Sequence, residues 1–239
     1  MLPLFDTVPH RSPPLTTWGL ILANGLVFLL EAALPADLRE LLIHWLGLVP
    51  ARYAGLASPG GGGIAPDGGW PFLTSLFLHG GWVHLLSNMW ALYLFGDNVE
   101  DRMGHLRFLA FYLLSGVAAG VTHVVTNWGS AVPAIGASGA VAGVMGAYMA
   151  LFPGARIITL VPVFLLPWFV EVPAAVYLGG WFASQFVSGA FALLGPGQWG
   201  GVAWWAHVGG FLAGLLLYRL FLKPRRYYRA FFPDEYRPW

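Results

Sequence analysis

The chain is predicted to be an all-α membrane protein, a bundle of six transmembrane helices with a long first outer loop. Three observations carry this expectation. Of its 239 residues 57% are hydrophobic and only 10% charged, with a formal net charge of +1, and the mean hydropathy is +0.66. That leaves too few charges to coat a soluble domain of this size. Six stretches approach the roughly 20 apolar residues needed to cross a hydrocarbon core about 30 Å thick. They are apolar on every face and lack the alternation, in runs of about ten residues, of a β-barrel strand, so helices are left to satisfy the backbone in lipid.

Taken in order, the spans are placed near 17–34, 82–95, 106–126, 133–152, 173–194 and 202–222. Small residues follow the first apolar run, in Glu31-Ala32-Ala33-Leu34-Pro35-Ala36, as they do before a signal-peptide cleavage site. The preceding region is poorly charged, so the run is read as the first span. The outer loop, about 35–70, divides into an interfacial helix around Leu38 to Trp45 and a flexible strap containing Pro59-Gly60-Gly61-Gly62-Gly63. The second span is short on its apolar count, and its helix is expected to begin earlier, near Phe72. The stretch 157–194 is too long for one crossing and carries Pro162, Pro167 and Pro173. Its first part is expected to lie along the inner interface, with Pro173 opening the fifth helix, where a missing amide hydrogen costs least.

Cations set the orientation. Ten of them, from Arg11 through Arg102, Arg107, Arg156 and Arg219 to the tail, fall on one side of the six spans, and only Arg39 and Arg52 on the other. The positive-inside bias then makes 1–16 a cytoplasmic segment, 17–222 the membrane domain and 223–239 a cytoplasmic tail, in a cell membrane read as that of a prokaryote. The tail mixes Lys223, Arg225, Arg226 and Arg229 with Tyr227, Tyr228, Phe231 and Phe232, which suits an anionic leaflet better than nucleic acid, so no nucleic-acid partner is expected. With no cysteine, the chain has neither a disulfide nor a thiol nucleophile. Nothing in the sequence specifies an oligomeric state.

Ionisable groups are expensive inside spans and tend to mark functional sites. Ser138, in Gly136-Ala137-Ser138-Gly139, and His207 stand at the mouths of the fourth and sixth spans, which enter from the same side and so hold both residues at one depth. A serine at a helix N-terminus has unpaired amide hydrogens nearby, its own and that of Ala137 among them, and the positive dipole end favours a developing oxyanion. His207 can accept the serine proton near neutral pH. His84 and Asn88, four residues apart near the start of the second span, are about 40° apart around a helix and share a face at this depth. They are candidate donors to the same oxyanion. No carboxylate lies at this depth, because Asp97, Glu100, Asp101 and Glu171 all fall toward the inner side, so the arrangement reads as a dyad. Gly139 and Gly143 on the fourth span and Gly210 and Gly214 on the sixth have the spacing that lets two helix backbones touch. No metal is expected, since His79 and His84 are about 140° apart around a helix and unsuited to a shared ion.

These residues resemble the rhomboid family of intramembrane serine proteases, from about Trp70 to Leu222. The Gly-x-Ser-Gly motif is met by Gly136-Ala137-Ser138-Gly139, and the Ala-His-x-x-Gly-x-x-x-Gly motif by Ala206 to Gly214. The His-x-x-x-Asn element is met by His84 and Asn88, with a further common histidine at His79, and the Glu-x-Arg-x-x-Gly-like turn is present only as Glu100-Asp101-Arg102-Met103-Gly104. The resemblance implies a six-helix fold of rhomboid type and hydrolysis of peptide bonds in or near the transmembrane segments of other membrane proteins. It also implies a Ser138/His207 dyad, an oxyanion hole that includes Asn88 and His84, no cofactor, and a substrate entering from the bilayer past the fifth helix, where Trp181 and Gln185 are candidate gate residues.

Two departures stand out. Trp70-Pro71 replaces a common Trp-Arg, which bears on how the outer loop is anchored, and Ala142 stands where some relatives have a tyrosine that packs on the histidine. His207 therefore needs another support, expected from the second or fourth span. The plainer readings are a small packing serine, an interfacial histidine, His84 and Asn88 bonded between helices, and Trp181 and Gln185 packing with one interhelical hydrogen bond. The alternatives to a protease are a catalytically silent rhomboid-like protein that binds membrane helices and a small transporter, the latter disfavoured by the lack of matched halves.

Overall fold

The computed structural model describes residues 2–9, 11–54, 68–163, 166–194 and 202–224. Six long helices dominate: α1 (Leu15–Ala33), α5 (Trp82–Met103), α6 (His105–Thr126), α7 (Ser138–Leu151), α8 (Ala174–Leu194) and α9 (Trp204–Phe221). Among the described residues, three short ones lie between α1 and α5: α2 (Ala36–Leu46), α3 (Ala51–Ala54) and α4 (Pro71–Thr74), the last running into a 3-10 turn at Ser75–Phe77. Among the described helices, Leu15–Ala33 and His105–Thr126 are each long and apolar enough to cross a bilayer by length and composition.

The core is organised around α7, which packs against α5, α6, α8 and α9. From Gly139 to Tyr148 every residue of this helix is buried. Its sequence explains why: Gly139, Ala140, Ala142, Gly143, Gly146 and Ala147 give it a thin surface that neighbours can approach closely. A Cβ on Gly210 would run into the Gly139 carbonyl, one on Gly214 into the Gly143 carbonyl, and one on Gly146 into the Phe211 carbonyl. On the α6 side a Cβ on Gly143 would strike Ser115 and one on Gly139 would strike Ala119. Larger side chains, led by Tyr112, Tyr148, Phe95, Phe108, Phe111 and Phe211, fill the layer around this spine.

The chain is mostly helical, which fits the all-α expectation, and beside the helices three strands that the sequence did not announce, β1 (Leu2–Asp6), β2 (Arg156–Val163) and β3 (Leu166–Pro173), form an antiparallel sheet in the order β1-β2-β3. The stretch expected along the inner interface is a hairpin with Arg156 opposite Pro173 and Leu160 opposite Phe169. β-branched residues in Ile157-Ile158-Thr159, with Ile157 and Thr159 buried, give it strand character. Its prolines are tolerated because Pro162 and Pro167 face each other near the turn and β3 is an edge strand. The N-terminal segment completes the sheet with Leu2 opposite Leu160. Its Asp6 accepts a hydrogen bond from Asn98 Nδ2 at 2.9 Å and another from the Tyr148 hydroxyl.

The second span does not begin at Phe72. The chain is extended at Leu78 and Gly81 (φ 164°), and α5 starts at Trp82 and runs on to Met103. The fourth span is shorter than expected: Gly136 has φ 121°, which breaks the helix, so α7 begins at Ser138 and has only 14 residues. A helix is present where one was expected after the first apolar run, as α2, while the glycine strap and the tail beyond residue 224 lie outside the described residues. Without the common arginine at Pro71 the loop is tied down by backbone, with Leu48 and Ala134 exchanging hydrogen bonds at 3.0 and 2.8 Å and Ala51 N–H reaching Ser130 O at 2.9 Å. At the other end of the bundle Glu100 accepts the N–H groups of Thr16 and Thr17 at 2.8 Å each, capping the first turn of α1.

Gly214→Ala is expected to destabilise the bundle by about 1–3 kcal/mol, because the added methyl meets backbone that has no rotamer to escape into. Gly19→Ala on α1, where nothing lies within 4 Å of an added Cβ, leaves stability unchanged or slightly raised. Equilibrium unfolding in detergent checks both.

Candidate active site

Two helix starts meet at one point. Ser138 opens α7 and His207 lies in the first turn of α9, and the glycine contacts bring them together so that His207 Nε2 lies 2.8 Å from Ser138 Oγ. The direction of that hydrogen bond follows from the other ring nitrogen. His207 Nδ1 is 2.7 Å from Gln185 Oε1, and Gln185 Nε2 donates to Ser184 Oγ at 3.0 Å. An amide oxygen only accepts, so Nδ1 carries the proton and Nε2 is left to accept from the Ser138 hydroxyl.

The support for His207 comes from α8, not from the second or fourth span. Gln185 is buried and fixes the tautomer, while the Trp181 ring lies against the imidazole with centroids 5.7 Å apart and planes 37° apart. Trp181 also contacts Phe211, one helical turn after His207, at 6.2 Å. Ala142 is buried in α7 and presents only a methyl group. The two candidate gate residues therefore pack on the imidazole from one face of α8, and Gln185 makes the interhelical hydrogen bond of the plainer reading.

On the opposite side stand His84 and Asn88 of α5. His84 Nδ1 accepts the Gly80 N–H at 3.4 Å, which leaves Nε2 as the protonated, donating nitrogen of a neutral ring. A Cβ on Gly136 would fall 2.6 Å from that Nε2 and 3.8 Å from Asn88 Nδ2. Gly136 thus serves two needs: a positive φ that only glycine adopts easily, and an open surface on which both side chains lie. Asn88 Nδ2 donates one hydrogen to the His84 carbonyl at 3.0 Å and has a second to give. At the start of α7 the N–H groups of Ala137 and Ser138 lack intrahelical acceptors by geometry.

Glu31 was missed as a contributor. It was read only as part of a boundary after the first apolar run, yet its carboxylate is buried and accepts the His79 N–H at 3.1 Å. The His79 ring packs edge-on against His84 at 5.0 Å, so α1 reaches the site through the loop before α5. A lone glutamate late in an apolar run was the available signal. Glu100, Arg102 and Gly104 lie away from the site. Glu100 contacts His105 Nδ1 at 2.5 Å, the Arg102 guanidinium lies over the Phe152 ring at 5.7 Å, and Gly104 turns with φ 82°.

Two cavities adjoin Ser138. A small one of about 30 Å³, lined by Ser75, His123, Gly136 and Ser138 among others, is roughly the size of one water. An open groove of about 1570 Å³ holds Ser138, His207, His84 and Asn88 at one end and runs between α5 and α8.

A helical bundle with glycine-packed backbones and a Ser–His pair at two helix starts defines a class of polytopic membrane protein. The family model for the rhomboid domain matches residues 66–224, and the chain belongs to the rhomboid family, whose members are integral membrane proteins. The chain is similar to RHOMBOID-like protein 4 of Arabidopsis thaliana, 31% identical over 168 residues, which is 67% of this chain and 36% of that protein. It is similar to Rhomboid protein 1, mitochondrial, of Saccharomyces cerevisiae, 32% identical over 148 residues, 60% of this chain and 39% of that protein. It is also similar to Presenilin-associated rhomboid-like protein, mitochondrial, of Mus musculus, 32% identical over 152 residues, 62% and 36% of the two chains. The chain thus spans well under half the length of these curated relatives.

Gln185→Leu leaves the half-buried His207 Nδ1–H without an acceptor, and is expected to cost about 1 kcal/mol of stability. It also shifts the ring toward the Nε2–H tautomer, whereas Gln185→Glu keeps the present one. The ¹⁵N shifts of His207 read the tautomer directly, and a ring unchanged in Gln185→Leu contradicts the assignment.

Proposed function

We propose that the chain is an intramembrane serine protease that hydrolyses peptide bonds in or near the transmembrane segments of other membrane proteins. The observation that carries this reading is the 2.8 Å approach of His207 Nε2 to Ser138 Oγ, with Nδ1 held by Gln185. His207 takes the hydroxyl proton as Ser138 Oγ attacks the scissile carbonyl, and gives it to the leaving amine as the tetrahedral intermediate collapses. The resulting acyl-enzyme is then attacked by water, activated by the same imidazole, and the small cavity beside Ser138 is a suitable store for that water. The developing oxyanion is stabilised by Asn88 Nδ2, His84 Nε2 and the N–H groups of Ala137 and Ser138, strengthened by the dipole of α7. Trp181 and Gln185 act as positioning residues for the base.

In this reading α1 and α5–α9 are the six spans, and both termini lie on the cation-rich side of the bilayer. The substrate helix enters the groove from the bilayer between α5 and α8. The expected prokaryotic plasma membrane draws no support from the relatives, which include mitochondrial proteins, so the proposed location is a lipid bilayer without a named compartment. An intact Ser–His pair favours catalysis over a silent helix-binding relative.

A fluorophosphonate probe is expected to label the purified protein at Ser138, and labelling disappears in Ser138→Ala and in His207→Ala. Labelling that persists in Ser138→Ala, or never occurs in folded protein, overturns the dyad. Asn88→Ala is expected to lower kcat on a single-span substrate by about a hundredfold or more with little change in KM, as for loss of one oxyanion donor. An unchanged kcat assigns Asn88 to packing.

A further inference from the structure

The groove that begins at Ser138 and His207 has a floor, and the N-terminal strand makes it. Leu2 and Pro3 of β1 line the same cavity as the Ser–His pair, at the end where Trp90 and Tyr93 of α5, Met145 of α7 and Tyr177 of α8 form the walls. Among the described residues no aspartate, glutamate, lysine or arginine lines it, so its chemistry suits an apolar helix. From Ser138 to Met145 on α7, and from His84 to Tyr93 on α5, the rise of 1.5 Å per helical residue makes the groove about 10–14 Å deep. A helical occupant covers that depth with about seven to nine residues.

The floor is held from several directions. Trp90 Nε1 donates to the Pro3 carbonyl at 2.7 Å, Leu2 and Pro3 pair with Leu160 and Thr159 of β2, and Asp6 is bonded to Asn98 on α5 and Tyr148 on α7. The strand is thus tied to the helices that carry the oxyanion donors and the nucleophile. The Leu2 side chain is itself 51% exposed and free to meet an occupant.

We infer that β1 positions the substrate: Leu2 and Pro3 contact the inner half of the substrate's transmembrane helix, about seven to nine residues inward of the scissile bond. This rests on the protease reading and adds to it a stop at fixed depth. The floor limits how far a helix descends beside α5 and α8, and so which peptide bond comes level with Ser138. Substrates whose inner half is bulky or charged at that level are disfavoured.

The chain contains no cysteine, so Leu2→Cys introduces a single thiol on an exposed side chain. In the uncleaving Ser138→Ala background, that variant is mixed in proteoliposomes with a single-span substrate carrying one cysteine at successive positions on either side of its cleavage site. Leu26→Cys on the exposed face of α1 gives the collisional background. Disulfide yield is expected to peak about six to ten residues inward of the scissile bond, several-fold above that background. A peak elsewhere, a flat profile, adducts no greater than the background, or only Leu2→Cys homodimers overturns the inference. Fluorophosphonate labelling of the parent protein tests the protease reading separately, so failure of the floor and failure of the dyad are distinguishable.

Discussion

The approach of two helix backbones is the constraint on which the rest depends. Gly139 and Gly143 on α7 meet Gly210 and Gly214 on α9 so closely that one methyl group on either glycine of α9 would enter a carbonyl of α7. In lipid there is little hydrophobic drive to bring helices together, so contact of this kind relies on packing that only small residues permit. That contact sets the separation of Ser138 and His207, whose hydrogen bond spans 69 positions of chain. The other features of the site orient groups that this contact has already brought together.

Orientation comes from three directions. α8 supplies Gln185 for the tautomer and Trp181 for the plane of the ring. α5 supplies His84 and Asn88, which share one face of a helix and lie over the bare surface of Gly136. α1 acts at one remove, its buried Glu31 accepting the His79 N–H in the turn before α5. Two of these elements are also held at the far end, α1 through the Glu100 cap and α5, together with α7, through Asp6 of β1. The sheet is thus tied to the same helices that carry the site, although it lies at the other end of the groove.

How much of this was legible in the sequence depended on how local the signal was. Long apolar helices declare themselves by composition, and those observed fall close to the stretches it picks out, with α8 starting directly after Pro173. The small-residue spacing on α7 and α9 is likewise a local pattern, and so is the pair of polar groups at the mouths of those helices. Where local pattern misled, one competing term had been underweighted. Prolines in 157–173 gave no hint of strands, but an edge strand and a proline-to-proline cross-strand pair absorb them. The apolar run from Pro133 argued for a long helix, but the positive φ of Gly136 delays its start to Ser138 and so makes that serine the first residue of α7.

By itself the sequence determined the solvent, the number and type of the long elements, and which hydroxyl and imidazole stand at helix mouths, because each of these follows from composition or from a spacing within one segment. Only the tertiary structure decided what surrounds them: Gln185 and Trp181 behind His207, Glu31 beneath His79, and β1 beside β2 at the foot of the groove. Those partners come from segments far apart in the chain, and a hydrogen bond between distant segments leaves no period, run or motif in either. It exists only once the helices have packed.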